Sequence, residues 1–563
     1  MSNNITKTKS SEVKIAPNLK KQNLFEVICS YGVTILSLLF FGYIAIMSVF
    51  QTSTLDPVNF SGEHILFEDD DFAMNFFLIG AFFLAVFALS RFANIFLKVN
   101  EKILTACLAV YTVTLGFIWI FMAQSIPAAD SGVVYSTATD LVKNDWTSFF
   151  TSNNDFYNNI SYFQIYPFQL GFVLISEFVY RISGAESAMV MQVLNVLSLA
   201  AMYVGIVMVN KKLFKSKAVT FITVFMLAGC IQPIFFTTFV YGNIIGLAAA
   251  IWACYFVIKF MKGSDKKSYL MLLPATALIT LSVIAKYNNM IWLAAICIGL
   301  VIYAIREKKW LSLVSVVFVA AVAVGSFNLV IYSYEKRSGA ELGDGVTQLL
   351  YLDAGINESA MAPGWYNDMS KTMYLNADCD TEKAEADAKA DIDAKLEEFK
   401  NDPDYAKDFF KKKITSQWNE PSFECIWVSQ VKGHYNGDVV DGTLLNSVYN
   451  GNWNKFFYDY FDFFHMITFI LFAIGMIGLI RKKCGAETIM FLTALIGGFL
   501  YHTLFEAKSQ YILTYFIIIV MFASYGLYFL LKPRSFNTKR ADGKKTISDH
   551  IANIANKIDS KTR

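Results

Sequence analysis

Residues 126–184 read IPAADSGVVYSTATDLVKNDWTSFFTSNNDFYNNISYFQIYPFQLGFVLISEFVYRISG. Whether the apolar part of this stretch, Tyr162–Ile182, crosses a membrane sets the parity of every segment after it. Pro167 interrupts the run, and Gln164, Gln169, Glu177 and Arg181 are spaced through it. Proline breaks a continuous helix, and regularly placed polar groups suit a helix lying in the interface plane. The spacing therefore predicts interfacial helices around Tyr166-Pro167-Phe168, not a span.

Working outward, the chain has 563 residues, of which 55% are hydrophobic, 16% aromatic and 17% charged. Runs of about 20 apolar residues recur along it, as bilayer-crossing helices require. The reading is an all-α polytopic membrane protein with about 12 transmembrane helices. Spans are expected near 30–50, 73–97, 103–124, 187–210, 218–237, 241–261, 268–286, 289–305, 311–333, 457–480, 486–503 and 509–531. The expected organisation is a tail over 1–25, a core over 26–333 with the loop 126–184 inside it, an outer loop domain over 334–455, three last spans over 456–531 and a basic tail over 532–563. Alternate connections carry the lysines and arginines: Lys211, Lys212, Lys215 and Lys217; Lys262, Lys266 and Lys267; Arg306, Lys308 and Lys309; Arg481, Lys482 and Lys483. The positive-inside rule makes these cytoplasmic and both termini with them. Had Tyr162–Ile182 spanned, Lys211–Lys217 would lie outside. The N-terminal span has no cleavage-site pattern and reads as a retained helix; the high Lys, Asn and Ile content suggests a bacterial plasma membrane.

Net charge is +2, so nothing points to a nucleic-acid partner. Eight cysteines are scattered without metal-ligand spacing. Cys379 and Cys425 share the polar loop, where a disulfide is open to them. No metal cluster and no cofactor are called for, though a divalent metal is left open.

Candidate chemistry gathers where the positive-inside rule does not reach. Asp130 follows the third span; either it or Ser131 caps a short helix beginning near Val133, or Asp130 acts as a base on an acceptor hydroxyl. Lys286, in Lys286-Tyr287-Asn288-Asn289, sits on an outer turn, where the alternatives are a snorkelling lysine and a phosphate clamp. Tyr-His-Thr-Leu-Phe-Glu-Ala-Lys-Ser-Gln-Tyr at 501–511 puts His502, Glu506, Lys508, Gln510 and Tyr511 between two spans, where polar groups face a cavity or water. His502 and Lys508 are candidate lipid-phosphate ligands unless Glu506 simply neutralises Lys508. Tyr166, Gln169, Tyr241, Asn243 and Glu506 are candidate substrate contacts. Gln232, Tyr241 and Asn243 serve helix packing equally well. The charged run Thr381–Lys400 reads as a solvated helix. Trp418-Asn419-Glu420-Pro421 reads as a structured turn, with a sugar platform as its alternative.

With these residues in hand, the chain resembles a GT-C superfamily glycosyltransferase of the protein O-mannosyltransferase and aminoarabinose-transferase group, of Gram-positive type. The likeness is carried by Ala129-Asp130-Ser131-Gly132 after an early span, by the interfacial first loop, by Tyr-Pro-Phe-Gln-Leu-Gly-Phe at 166–172 and by the 501–511 motif. It covers roughly 100–310 and more weakly the last three spans. It departs at Asp130-Ser131, where the family commonly has Asp-Glu, and at the single Pro167, where paired prolines are common. The resemblance implies transfer of a sugar, with inversion, from a polyprenyl-phosphate donor to an extracytoplasmic glycan, lipid or protein. Asp130 would be the base and Lys286, His502 and Lys508 the phosphate partners. The competing readings are a transporter or flippase of lipid-linked saccharides, which would need broken helices near the midplane, and a membrane acyltransferase built on His465 or His502.

Overall fold

The computed structural model describes residues 23–56, 63–92, 97–151, 160–431 and 433–531; of the tails expected over 1–25 and 532–563, residues 1–22 and 532–563 lie outside them, and α1 already begins at Leu24. Among the described residues, 11 helices are long and apolar enough to cross a membrane, and a bent helix pair raises the number to 12. The protein is thus an all-α polytopic membrane protein. The bent pair, Lys217–Gly229 and Gln232–Thr238, turns by 50°. It falls where a single straight span was expected. Pro233 at the start of the second piece cannot continue the hydrogen-bond ladder of the first.

The order of elements begins with α1 (Leu24–Phe50), a hairpin of β1 (Gln51–Asp56) and β2 (His64–Asp69), α2 (Phe72–Ser90) and α3 (Glu101–Ala123). The hairpin is antiparallel, with Gln51 opposite Asp69 and Asp56 opposite His64, and it ends in the acidic run 68–71. The decisive stretch then folds as α4 (Ala129–Val142), a single turn at Tyr162–Ile165, a break at Tyr166-Pro167, and α5 (Leu170–Ser183). A residue before proline is pushed out of helical geometry, and Tyr166 is, at φ −128° and ψ 61°. With 14 residues, α5 is about 21 Å long at the helical rise per residue. That is short of the roughly 30 Å of a bilayer core.

Next come α6 (Ala188–Phe214), α7 (Lys217–Gly229), α8 (Asn243–Lys262), α9 (Leu272–Ala285), α10 (Met290–Glu307) and α11 (Leu311–Ser338). The long connection 339–451 contributes α12 (Gln348–Ile356), α13 (Met369–Asn376), α14 (Thr381–Asn401), α15 (Pro403–Trp418) and α16 (Leu444–Asn450). The last spans are α17 (Asn452–Lys482), α18 (Ala486–Leu504) and α19 (Ser509–Leu531). Helix α14 buries only Ala384, Ala388, Ile392 and Phe399 and leaves its acidic residues to solvent.

The basic connections meet at one end of the bundle. Arg306 pairs with Glu26 at 2.9 Å, Lys211 with Glu101 at 2.7 Å, and Lys262 with Glu487 at 3.6 Å. The first turn of α1 is held there by Glu26, and the end of α19 by Arg481 over Phe529. Both described ends of the chain therefore lie at the basic end, which an even number of crossings requires. A cysteine placed at Asp387, on α14, is expected to react with an impermeant maleimide on intact cells. One placed at Lys215 is expected to react only after permeabilisation, both in a background without reactive native cysteines. Labelling of Lys215 on intact cells would overturn this orientation.

The opposite end is roofed by the 339–451 region, which is stitched down by backbone hydrogen bonds. Val346 donates to Ile165 (2.9 Å), Ile65 to Met361 (3.0 Å), Ser53 to Asn419 (3.1 Å) and Ile126 to Gly433 (2.8 Å). Trp418 is completely buried against Phe41, Phe499 and Tyr515 and cannot serve as a sugar platform. The structured-turn reading of that motif holds. Cys379 and Cys425 are free thiols rather than a disulfide pair, and they pack in separate apolar clusters.

Candidate active site

Beneath the roof lies a cavity of about 450 Å³, lined among others by Asp130, Tyr166, Gln169, Tyr241, Lys286, Glu506 and Lys508. The sequence motifs that supply these residues are far apart in the chain, and the fold brings them to one place. Asp130 sits in the first turn of α4, where a carboxylate complements the helix dipole. It is not a cap: the N-cap position is Ala128, which makes no side-chain cap bond. The preceding residue, Ala129, is held at φ +49°, a left-handed conformation that costs a non-glycine residue about 1–2 kcal/mol. Asp130 itself is exposed to the cavity.

Tyr241 organises the wall. Its hydroxyl donates to Asp130 Oδ2 at 3.2 Å, and it accepts a hydrogen bond from Gln169 Nε2. Burial, and then the negative charge of Asp130, push the Tyr241 hydroxyl well above its ordinary pKa, so it remains a donor. The ring of Tyr241 carries the Lys286 ammonium 3.5 Å from its centroid, a cation–π contact. Gly242 makes this arrangement possible. It adopts φ +81°, and a Cβ there would stand 2.0 Å from the Ala285 carbonyl oxygen. Tyr241 and Lys286 are thus fixed by the same close backbone approach. Burial pushes the Lys286 ammonium down to about 7, with the charge of Asp130 partly opposing the drop.

The other wall is the 504–511 segment. Lys413, fully buried, donates from Nζ to the carbonyls of Gly355, Leu504 (3.3 Å) and Phe505 (3.0 Å). Glu506 N–H donates to Tyr351 O (2.9 Å) and Ala507 N–H to Gly364 O (3.2 Å). Glu506 is pushed up to about 7 by burial, with Lys508 and Lys413 pulling it down and Asp130 adding to the rise. Lys508 is ion-paired with Glu63, which precedes β2, rather than neutralised by its sequence neighbour Glu506. Burial works against its charge, but Glu63, Glu424 and Glu506 overcome that and hold it above the usual lysine range.

Gly355 allows α12 to lie against this segment. A Cβ would meet Leu504 O and Phe505 C at 2.3 Å and Glu506 N at 2.5 Å. Gly355→Ala is therefore expected to displace Glu506 and Lys508 and, on the reading proposed below, to reduce turnover about tenfold, since small misplacements of reacting groups are costly. Unchanged turnover in a folded variant would show that the position of this segment does not matter.

Two expected ligands lie elsewhere. His502 and Asn243 are outside the main cavity and line a small pocket beside it, with Lys286, Asn289 and Tyr511. His502 is therefore placed behind Lys286 rather than beside it as a direct phosphate ligand. Gln232 donates to Pro421 O at 3.3 Å and serves packing. His465 is buried and donates to Trp418 O at 2.7 Å, away from the cavity. The sequence reading missed Tyr162, Tyr287, Tyr351 and Tyr366, which make the cavity strongly aromatic, and Glu63. Aromatic residues are common throughout the chain, so nothing local marks the four that face inward.

No protein-family profile matches the chain, and no curated protein matches it. Among solved structures, it is similar to the archaeal oligosaccharyltransferase AglB from Archaeoglobus fulgidus, in complex with an inhibitory peptide and a dolichol-phosphate, with 14% sequence identity and a TM-score of 0.41. The match covers 81% of this chain and 54% of AglB, so the chain spans about half the length of that protein.

Proposed function

We propose that the protein is an integral-membrane, inverting glycosyltransferase of GT-C type. It moves a sugar from a polyprenyl-phosphate donor to an extracytoplasmic glycan, lipid or protein at a bacterial plasma membrane. The observation that carries this reading is the juxtaposition of an open carboxylate, Asp130, with the Lys286 ammonium across one tyrosine, Tyr241. In the proposed step the acceptor hydroxyl gives its proton to Asp130 and its oxygen bonds to the anomeric carbon. The bond from that carbon to the phosphate oxygen breaks, and the electron pair leaves with the phosphate. A leaving phosphate needs positive charge rather than a proton donor. Lys286 supplies it, with Lys508 once Glu63 yields to the donor. Tyr166, Gln169 and Glu506 line the space for the sugar and acceptor.

A passage for saccharides would need the broken helix to border the cavity. Instead the break is packed in the core, with Tyr203 donating to Cys230 O at 2.7 Å. Purified protein given radiolabelled polyprenyl-phosphate sugar and a panel of envelope glycans, lipids and peptides is expected to transfer label and release the carrier phosphate. Movement of intact donor across liposomes, without release, would replace this reading with a transporter. Glu63→Gln is expected to tighten donor binding by a few-fold, because a neutral amide competes less for Lys508. Weaker binding would show that Glu63 positions Lys508 rather than blocking it.

A further inference from the structure

The small pocket beside the cavity has a volume of about 20 Å³ and is lined by Asn243, Lys286, Asn288, Asn289, His502, Tyr511, Thr514 and Tyr515. Two side-chain atoms of these lining residues are buried without a partner: His502 Nδ1, an acceptor in the Nε2–H tautomer, and Asn243 Oδ1, on residues 1% and 5% exposed. Unpaired buried acceptors are costly, and each in a native structure calls for a partner. Lys286 Nζ lies 3.5 Å from the centroid of the Tyr241 ring, makes no hydrogen bond to an oxygen or nitrogen among the described residues, and borders both this pocket and the main cavity. The pocket thus brings two buried unpaired acceptors beside an ammonium that can donate to a shared partner.

We infer that this pocket holds one fixed water, which donates to His502 Nδ1 and Asn243 Oδ1 and accepts from the Lys286 ammonium. One water has two O–H donors and free lone pairs, which matches this set. A polar void needs about 10–15 Å³ to accept a water, and two to four polar partners to hold it. His502 and Asn243 then act as positioning residues. They fix the water, and the water fixes the ammonium over Tyr241, pointing its charge into the cavity. Lys286 also faces Asp130 from α4, Tyr241 below it and Tyr511 from α19, while Lys413 binds the Leu504 and Phe505 carbonyls at the end of the helix that carries His502. The water itself follows from the pocket alone; its value for catalysis rests on the proposed donor site.

A structure of the full-length protein at a resolution that shows ordered solvent is expected to show one water within hydrogen-bond reach of all three groups. An empty pocket, or a sodium ion in its place, would overturn the inference. The pH dependence of Lys286 acylation, read by peptide mass spectrometry with a small amine-reactive ester, tests the coupling without any transfer assay. A hydrogen bond to the charged form favours it. His502→Phe is therefore expected to lower the midpoint for Lys286 by about one pH unit, while His502→Gln, which keeps an acceptor, holds it near wild type. An unchanged midpoint in both variants would sink the positioning role. Should His502→Phe fail to fold, the solvent density of the wild-type protein still decides the matter. If Lys286 proves irrelevant to the donor, the water and the midpoint shift are unaffected, so the two readings fail separately.

Discussion

Asp130→Asn is expected to lower the transfer rate by about a hundredfold or more, the usual scale for a positioned acid–base group, while leaving the protein folded and inserted. The substitution is nearly isosteric, and the asparagine oxygen can still accept from the Tyr241 hydroxyl, which now contacts Asp130 at 3.2 Å. What is lost is the capacity to take a proton. Because α4 has Ala128 at its N-cap and no side-chain cap bond, no helix-capping role remains to be lost. Loss of the charge also removes the carboxylate that favours the Lys286 ammonium, so donor affinity should fall somewhat at neutral pH. The main change is in kcat, and the secondary one in donor KM. More than about half the wild-type kcat in the variant would exclude Asp130 as the base.

The sequence carried the frame of this molecule because the frame is governed by local rules. The lysine-rich connections report which bundle end they occupy, and they do meet there, Arg306 on Glu26 and Lys211 on Glu101. Pro167 alone is enough to break Tyr162–Ser183 into pieces too short to cross. Other features had a local signal that stronger neighbours masked. The alternation in Thr52–Leu55 and Ile65–Phe67 marks a hairpin, but the acidic run 68–71 beside it reads as a loop. Pro233 marks the broken span, but the apolar residues on either side of it suggest one continuous helix. The electrostatic pairing of the site had no local signal. Lys508 lies two residues from Glu506 and 445 from Glu63, and sequence proximity favours the wrong partner. Likewise, Asp130, Tyr241 and Lys286 were each candidates for separate reasons, but only the fold shows that Tyr241 stands between the other two.

Lys286→Met is expected to weaken donor binding and slow phosphate release, with acceptor affinity little changed. Methionine keeps much of the apolar stem that packs beside Tyr241 and removes the charge, so stability should hold. The effect should depend on pH, and its sign follows from the environment of the lysine. Burial depresses the free-site value to about 7, which means the empty protein charges Lys286 below that pH and discharges it above. A polyprenyl-phosphate sugar is a phosphodiester whose single charge does not titrate near neutrality. Its binding favours the ammonium and so draws in a proton when the pH exceeds about 7. Wild-type donor affinity should therefore be highest below about pH 7 and fall by up to about tenfold per unit above it, the limit for linkage to one proton. Glu506, pushed up to about 7, acts in the same direction, since its ionisation adds a negative charge to the cavity. The two are separated by Glu506→Gln, which should keep the lysine-linked fall, and by the Lys286→Met variant, which should keep only the weaker carboxylate part. A steep, unaltered pH profile in the methionine variant, with normal donor affinity, would remove Lys286 from the phosphate site.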